Sequence, residues 1–392
     1  MSHIHKMNTK ISSRINRSLV LSLIHENPLI SRAQLSVLTG LDRSTITHIL
    51  KYLLAEKFVR ETEKGRASSR GGRRPISLEV QYDGRFLLAI EAGTENCDAV
   101  MVNLRGDEIR RWRRKIRRGE PLLDILRDII HEIETTARKE FKNSIVIGIS
   151  SPGIIDVEKG VVRFCDYHQW RDVDIVAPIG GKYRKVVFIE NDANAAAVGE
   201  LSQHAESNNR GLLYLLIRES PPESEQILGV GGAIIFNGNL WHGTNFFAGE
   251  VADTLNSLFL TGMIKKWRDK MSRTHEMKKR TLGYLLESAA NNNPNSRAAA
   301  DEIASHLGKF MGEVVAFLDP GCVMIYINPS HDGYNMAARI EEYFYKHIPA
   351  GFSTTRFLEP RLKERAIIKG LISLTQEKIF VRDGIHSSLL FK

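Results

Sequence analysis

In the first sixty residues the apolar positions fall at helical spacing in two blocks. Ile15, Leu19, Leu23 and Ile24 predict a helix from about Ser13 to His25, which Pro28 breaks. Ser31-Arg32-Ala33-Gln34 reads as a capping box, in which the Ser hydroxyl accepts the amide three residues on and Gln34 returns the bond. The short helix it opens ends at Gly40, suited to the left-handed position past a helix C-terminus, and Leu41 plugs the turn into the core. Asp42 caps a second helix through about Glu56, with Ile46, Ile49, Leu50 and Leu53 on its buried face. The period then changes. Phe58-Val59-Arg60-Glu61 and Ile76-Ser77-Leu78-Glu79 alternate as half-buried strands do, and a Gly/Ser/Arg loop from Lys64 to Pro75 joins them.

A capped helix, a glycine turn, a second helix and two strands around a basic loop make a winged helix-turn-helix over residues 1–80. The exposed start of the second helix offers Arg43, Ser44, Thr45, Thr47 and His48, flanked by Arg32 and Lys51. These side chains suit base edges and phosphates in a major groove; small polar residues also fill the exposed face of any helix. Arg66, Arg70, Arg73 and Arg74 suit a narrow minor groove, and equally suit a flexible charged linker. The charge balance favours nucleic acid. Residues 1–80 carry 14 Lys+Arg against 6 Asp+Glu, whereas residues 81–392 carry 41 against 40, so nearly all of the +9 excess sits on one fifth of the chain.

Cys97, Cys165 and Cys322 are scattered and form no CxxC pair, which argues against a disulfide framework and fits a reducing cytoplasm. The polar start lacks the apolar run of a signal peptide, and no apolar stretch approaches the roughly 20 residues a bilayer requires. A cytoplasmic protein without membrane insertion is expected.

From Phe86 onward strands, glycines and helical stretches alternate, as in an α/β fold. The stretches SRAQLSVLTGLDRSTITHILKYL and GGRRPISLEV in the head resemble a NagC/XylR-type member of the ROK family (repressors, open reading frames and sugar kinases). So do GISSPGIIDVEKGVV, WRDV, FIENDANAAAVGEL and GVGGAIIFNGNLWHGTNFFAGEV in the body. The resemblance runs from Asn16 to about Phe380. It implies an α/β protein with an N-terminal winged helix-turn-helix, followed by a two-lobed actin-like ATPase fold of the sugar kinase/Hsp70 type. The lobes are expected at residues 81–192 and 193–392, with the C-terminal segment free to return to the first lobe. It also implies a double-stranded DNA operator, a sugar or sugar-phosphate effector, and a homodimer or tetramer.

Read physically, Val186 to Ile189 is an apolar strand, and Glu190-Asn191-Asp192-Ala193-Asn194 sits where it turns into an Ala-rich helix, a usual ligand location in α/β sheets. By resemblance Asp192 matches a kinase's sugar-activating base and Asn191 a sugar contact; Asp192 could equally cap the helix. Glu250 matches a further sugar contact, and Ser151 and Gly153 match a loop closing the pocket. The family's usual Asp-x-Gly-Gly-Thr phosphate loop is Glu91-Ala92-Gly93-Thr94-Glu95 here, so Glu95 would set like charge against phosphate. Ala233 and Ile227 stand where glycines are usual around Gly229-Val230-Gly231-Gly232, a run that could also be a hairpin turn. The Gly pair expected after Leu318-Asp319-Pro320 is absent. Asp253 replaces the zinc-binding His, and no cysteine lies between Cys165 and Cys322. Neither ATP nor zinc is therefore expected as a cofactor, and a working kinase is the weaker of two readings.

Two basic runs remain. Arg110 to Arg118 reads as a solvated strand with Trp112 packed inward, or as a DNA-facing patch, and residues 265–270 read as a solvated helix face.

Overall fold

Helical structure extends further toward the N-terminus than the apolar stripe predicts. Helix α1 spans Ser2–Glu26 rather than starting at Ser13. No Pro or Gly precedes Ser13, and extending an existing helix costs far less than nucleating one. The computed structural model describes residues 2–62, 76–204, 211–219, 228–251, 282–328, 334–348 and 354–380. The loop carrying Arg66, Arg70, Arg73 and Arg74, and the segment holding Asp253 and residues 265–270, lie outside the described residues.

After α1 come β1 (Ile30–Ser31), α2 (Arg32–Thr39) and α3 (Arg43–Ala55). The capping box closes in both directions, and Gly40 takes φ 70° past the end of α2. Ile46, Ile49, Leu50 and Leu53 of α3 pack against Val20, Leu21, Ile24 and Leu35. Strands β2 (Val59–Thr62) and β3 (Ser77–Val80) pair antiparallel, and β1 adds to the far side of β3. This is the winged helix-turn-helix architecture.

The body begins with a meander, β4 (Phe86–Ala92), β5 (Asn96–Asn103) and β6 (Glu108–Lys115). Helices α4 (Leu122–Thr136) and α5 (Arg138–Asn143) lead to β7 (Ser144–Ser151). A small antiparallel sheet follows, β8 (Ile154–Asp156), β9 (Val161–Cys165) and β10 (Trp170–Asp174), then α6 (Val176–Tyr183) and β11 (Val186–Asn191). The first large sheet has the order β11-β7-β4-β5-β6, with β7 and β11 parallel to β4. Its outer face is covered by Leu122, Ile125, Leu126, Ile129, Ile130 and Ile133, the buried stripe of α4.

Helix α7 (Asp192–Leu201) leads into the second lobe, formed by β12 (Leu212–Glu219), β13 (Leu228–Phe236), β14 (Asn239–Leu240), α8 (Leu282–Ala290), α9 (Pro294–Leu318), β15 (Cys322–Asn328), α10 (Met336–His347) and β16 (Arg356–Leu358). Its sheet runs β14-β13-β12-β15-β16, and α8, α9 and α10 cover the face that presents Leu213, Leu215 and Ile217. Gly229 to Gly232 lie inside β13, paired with β12, so this run is not the hairpin turn that its composition allows. The last described helix, α11 (Ala366–Phe380), returns to pack on β4, β7 and α7.

Helices α7 and α11 approach at glycine. A Cβ added to Gly370 would lie 1.7 Å from the Ala195 carbonyl oxygen, and one added to Gly199 would lie 2.1 Å from that of Ala366. Beside the crossing, the buried Glu200 carboxylate accepts the backbone N–H groups of Arg361, Leu362 and Lys363 at 2.8, 2.9 and 2.8 Å. At its far end α11 reaches the head. Phe380 stacks on His25 with centroids 4.1 Å apart, and the Ser22 hydroxyl donates to the Phe380 carbonyl. Replacing Gly370 with Ala must push α7 and α11 apart, with an expected loss of about 3 kcal/mol. Urea melts of the full chain check this, and an unchanged midpoint would contradict the packing.

Candidate functional site

At the tip of the head, Asp42 accepts the Thr45 N–H at 2.8 Å and the hydroxyls of Ser44 and Thr45 at 2.5 and 2.7 Å. The hydrogen bonds from Ser44 and Thr45 hold its carboxyl well below the usual carboxylate range. The Thr47 hydroxyl donates to the Arg43 carbonyl at 2.8 Å. Ser44, Thr45 and Thr47 were expected to face DNA bases, yet their hydroxyl protons stabilise the helix itself, and Thr45 is half-buried. Arg32 is held by Glu61 of β2 at 2.5 Å. Arg43, His48 and Lys51 remain exposed on α3, with no polar partner among the described residues. Arg17 of α1 lies over the Tyr52 ring at 3.8 Å and braces α3 from behind.

The basic run at Arg110 to Arg118 is a different kind of surface. Trp112 is buried, and its neighbours are paired within the lobe: Arg111 with Glu108, Arg113 with Asp98, Arg114 with Glu120 and Asp128. Ion pairs thus hold three of the run's cations, on an edge strand of the sheet.

At the junction of β11 and α7, Asn191 and Asp192 lie beside the loop of Ser151 and Gly153. Asn191, rather than Asp192, caps α7: its side-chain oxygen accepts from Ala193 and Asn194. Its amide donates to the Gly153 carbonyl at 2.9 Å, tying down the loop that follows Ser151. Asp192 follows as the first residue of the helix, one oxygen taking the Ala193 N–H. The other takes Arg218 of β12 at 2.5 Å. Glu190 accepts from the Asn191 N–H, the Asn194 amide and, at 2.8 Å, His242. Burial opposes a charge on His242, but the Glu190 hydrogen bond and the charges of Glu190 and Glu158 together outweigh it and raise the imidazole above its ordinary value. Glu250 is half-buried beside Gly249, whose carbonyl accepts the Gly232 N–H at 2.9 Å. That contact is too close for any Cβ at either glycine, so the family's glycine run here serves a backbone crossing.

Arg218 was not anticipated. It ends the apolar run Leu212 to Ile217, and a charge at the C-terminal end of a buried strand is the signal that could have found it. Its neighbour Glu91 is pushed up to about 7 by desolvation, against the pull of Arg218. From behind, the buried His168 ring meets the Gly93 carbonyl at 3.0 Å and stacks on Trp170.

Two carboxylates, Glu91 and Asp192, meet the ion-paired Arg218 at this junction. Cys97 and Cys165 share one apolar core and Cys322 another; burial pushes the Cys165 thiol up to about 12 and Cys97 further.

A model of the ROK family matches residues 87–255. The xylose repressor of Caldicellulosiruptor bescii is 27% identical across 94% of this chain and 96% of its own length. Residues 87–255 of this chain are a ROK-family region. The xylose repressor of Bacillus subtilis is 34% identical over 61% of this chain and 59% of that one. A solved ROK family transcriptional regulator, described as a homologue of the E. coli MLC protein, superposes with a TM-score of 0.72. It shares 19% identity and covers 97% of this chain and 98% of its own. The ROK fold thus extends over head and body together. Among the described residues, no helix is long and apolar enough to cross a membrane.

Glu91 gives a pH prediction. Below its ordinary value of 4.5 both folded and unfolded chains hold the proton, so it contributes nothing. Between 4.5 and about 7 the unfolded chain alone has lost it, so stability falls as pH rises; above 7 the penalty is constant. Glu91→Gln should therefore leave stability unchanged near pH 4 and raise it by up to about 3 kcal/mol at pH 8. Denaturant melts at the two pH values measure this, and equal effects at both would contradict it.

Proposed function

We propose that this ROK regulator is a repressor that binds a near-palindromic double-stranded DNA operator as a homodimer or tetramer and senses a small carbohydrate in the cleft between its lobes. The observation that carries the proposal is the capped α3, which presents Arg43, His48 and Lys51 unpaired at the tip of a head holding nearly all of the chain's excess charge. A helix N-terminus of this kind enters a major groove, where arginine pairs with guanine and lysine with phosphate. The basic loop residues Arg66, Arg70, Arg73 and Arg74 complete the interface as a wing.

The carbohydrate reading rests on the resemblance and on the relatives' names, which make D-xylose the first sugar to test. Phosphoryl transfer is the poorer reading: a general base must be free to accept a proton, whereas Asp192 faces an arginine in contact. Neither ATP nor zinc is part of the proposed mechanism. The cleft connects to the head through contiguous contacts: Asn191 and Asp192 begin α7, α7 is locked to α11, and α11 ends against α1. A ligand that favours one lobe angle would thereby alter the spacing of two heads on DNA.

Gel-shift titration against the promoter regions flanking the gene tests the proposal. A specific complex is expected, weakened by salt and released or strengthened by sugar. Arg43→Ala should cost about 1–3 kcal/mol and relax base preference, whereas Lys51→Ala should weaken all sequences alike. Absence of any specific shift at moderate salt, with and without sugars, would overturn it.

A further inference from the structure

The effector site is already filled by the protein's own side chains. Two adjacent carboxylates at the end of β11 are each held by a cationic or donor group from the second lobe, Glu190 by His242 and Asp192 by Arg218. Both oxygens of Asp192 are engaged, and Asn191 has spent its oxygen on α7 and its amide on Gly153. Nearby lies a hydroxyl with its hydrogen bond unmade: Ser150 Oγ is fully buried and sits in register between Glu91 and Glu190. A buried hydroxyl without a partner is rare, and one beside Glu190 marks a place prepared for another polar group.

We propose that Arg218 is a built-in competitor for the effector. In the ligand-free protein its guanidinium takes the bond on Asp192 that a ligand hydroxyl would take, and binding displaces it. This inference rests on the cleft being an effector site, and it adds the ligand's chemistry. Glu190 and Asp192 are the acceptors here, with Glu91 holding its proton up to about pH 7, so the ligand must offer hydroxyl donors: a neutral polyhydroxylated sugar. A phosphate ester adds acceptors and charge to that set, and no donor. Displacing Arg218 also breaks a link between the start of α7 and β12, which couples sugar binding to movement at that junction.

The test is calorimetric titration of the full chain with D-xylose, D-glucose and glucose 6-phosphate, in the parent, Arg218→Met and Arg218→Lys. The competitor should lower the apparent affinity of the parent, so Arg218→Met should bind a neutral sugar about fivefold tighter or more, with Arg218→Lys between the two. Glucose 6-phosphate should bind the parent more weakly than glucose does. Circular dichroism verifies that each variant folds, and Arg218→Gln replaces Arg218→Met if the latter does not. Sugar binding by both proteins, with Arg218→Met equal or weaker, overturns the proposal and leaves the effector site standing. Binding by neither overturns both.

Discussion

The close crossing of α7 and α11 is the constraint on which the rest of the arrangement depends. Two glycines let the helix backbones approach to a distance that any side chain would prevent, and a buried glutamate ties the approach to α11 to three consecutive amides. One end of α7 carries the cleft residues Asp192 and Ala193; the far end of α11 carries Phe380, stacked on the head. Because neither helix can slide without a steric or electrostatic loss, displacement at one end has little room to dissipate before reaching the other.

The cleft follows a different physical logic from the core. Its polar groups are charged, close together and nearly all satisfied internally. Asp192 faces an arginine, Gly232 and Gly249 meet at a backbone crossing, and the loop after β4 bears Glu95. A buried ion pair of this sort adds little net stability, since desolvation offsets most of the attraction, but it does fix which groups face which.

The head was readable from sequence because its determinants are local. Ser31 with Gln34, and Asp42 with Thr45, lie three residues apart, and Gly40 needs only its own φ. The two-lobed body was legible chiefly through motif resemblance. What escaped was whatever depends on distant residues meeting. Arg218 meets Asp192 across 26 positions and was overlooked, as was the exposed pair of Arg32 with Glu61. The helix cap fell on Asn191 instead of Asp192, although the strand persists two residues beyond its apolar pattern, because the Asn191 side chain is the one that reaches the Ala193 and Asn194 amides. Helix α1 starts at Ser2, well ahead of the repeat Ile15, Leu19, Leu23 and Ile24 that predicts it.

The seat of the head has a consequence for the order in which the protein is made. Ser22 and Phe380 are 358 positions apart. At about 5–20 residues per second, the head emerges from the ribosome tens of seconds before the helix that holds it. Its local core can form early, but the contact that sets its orientation closes the longest loop in the chain and so forms late. A nascent chain thus carries a folded DNA-binding head with no fixed aim, and it gains its geometry only when α11 arrives.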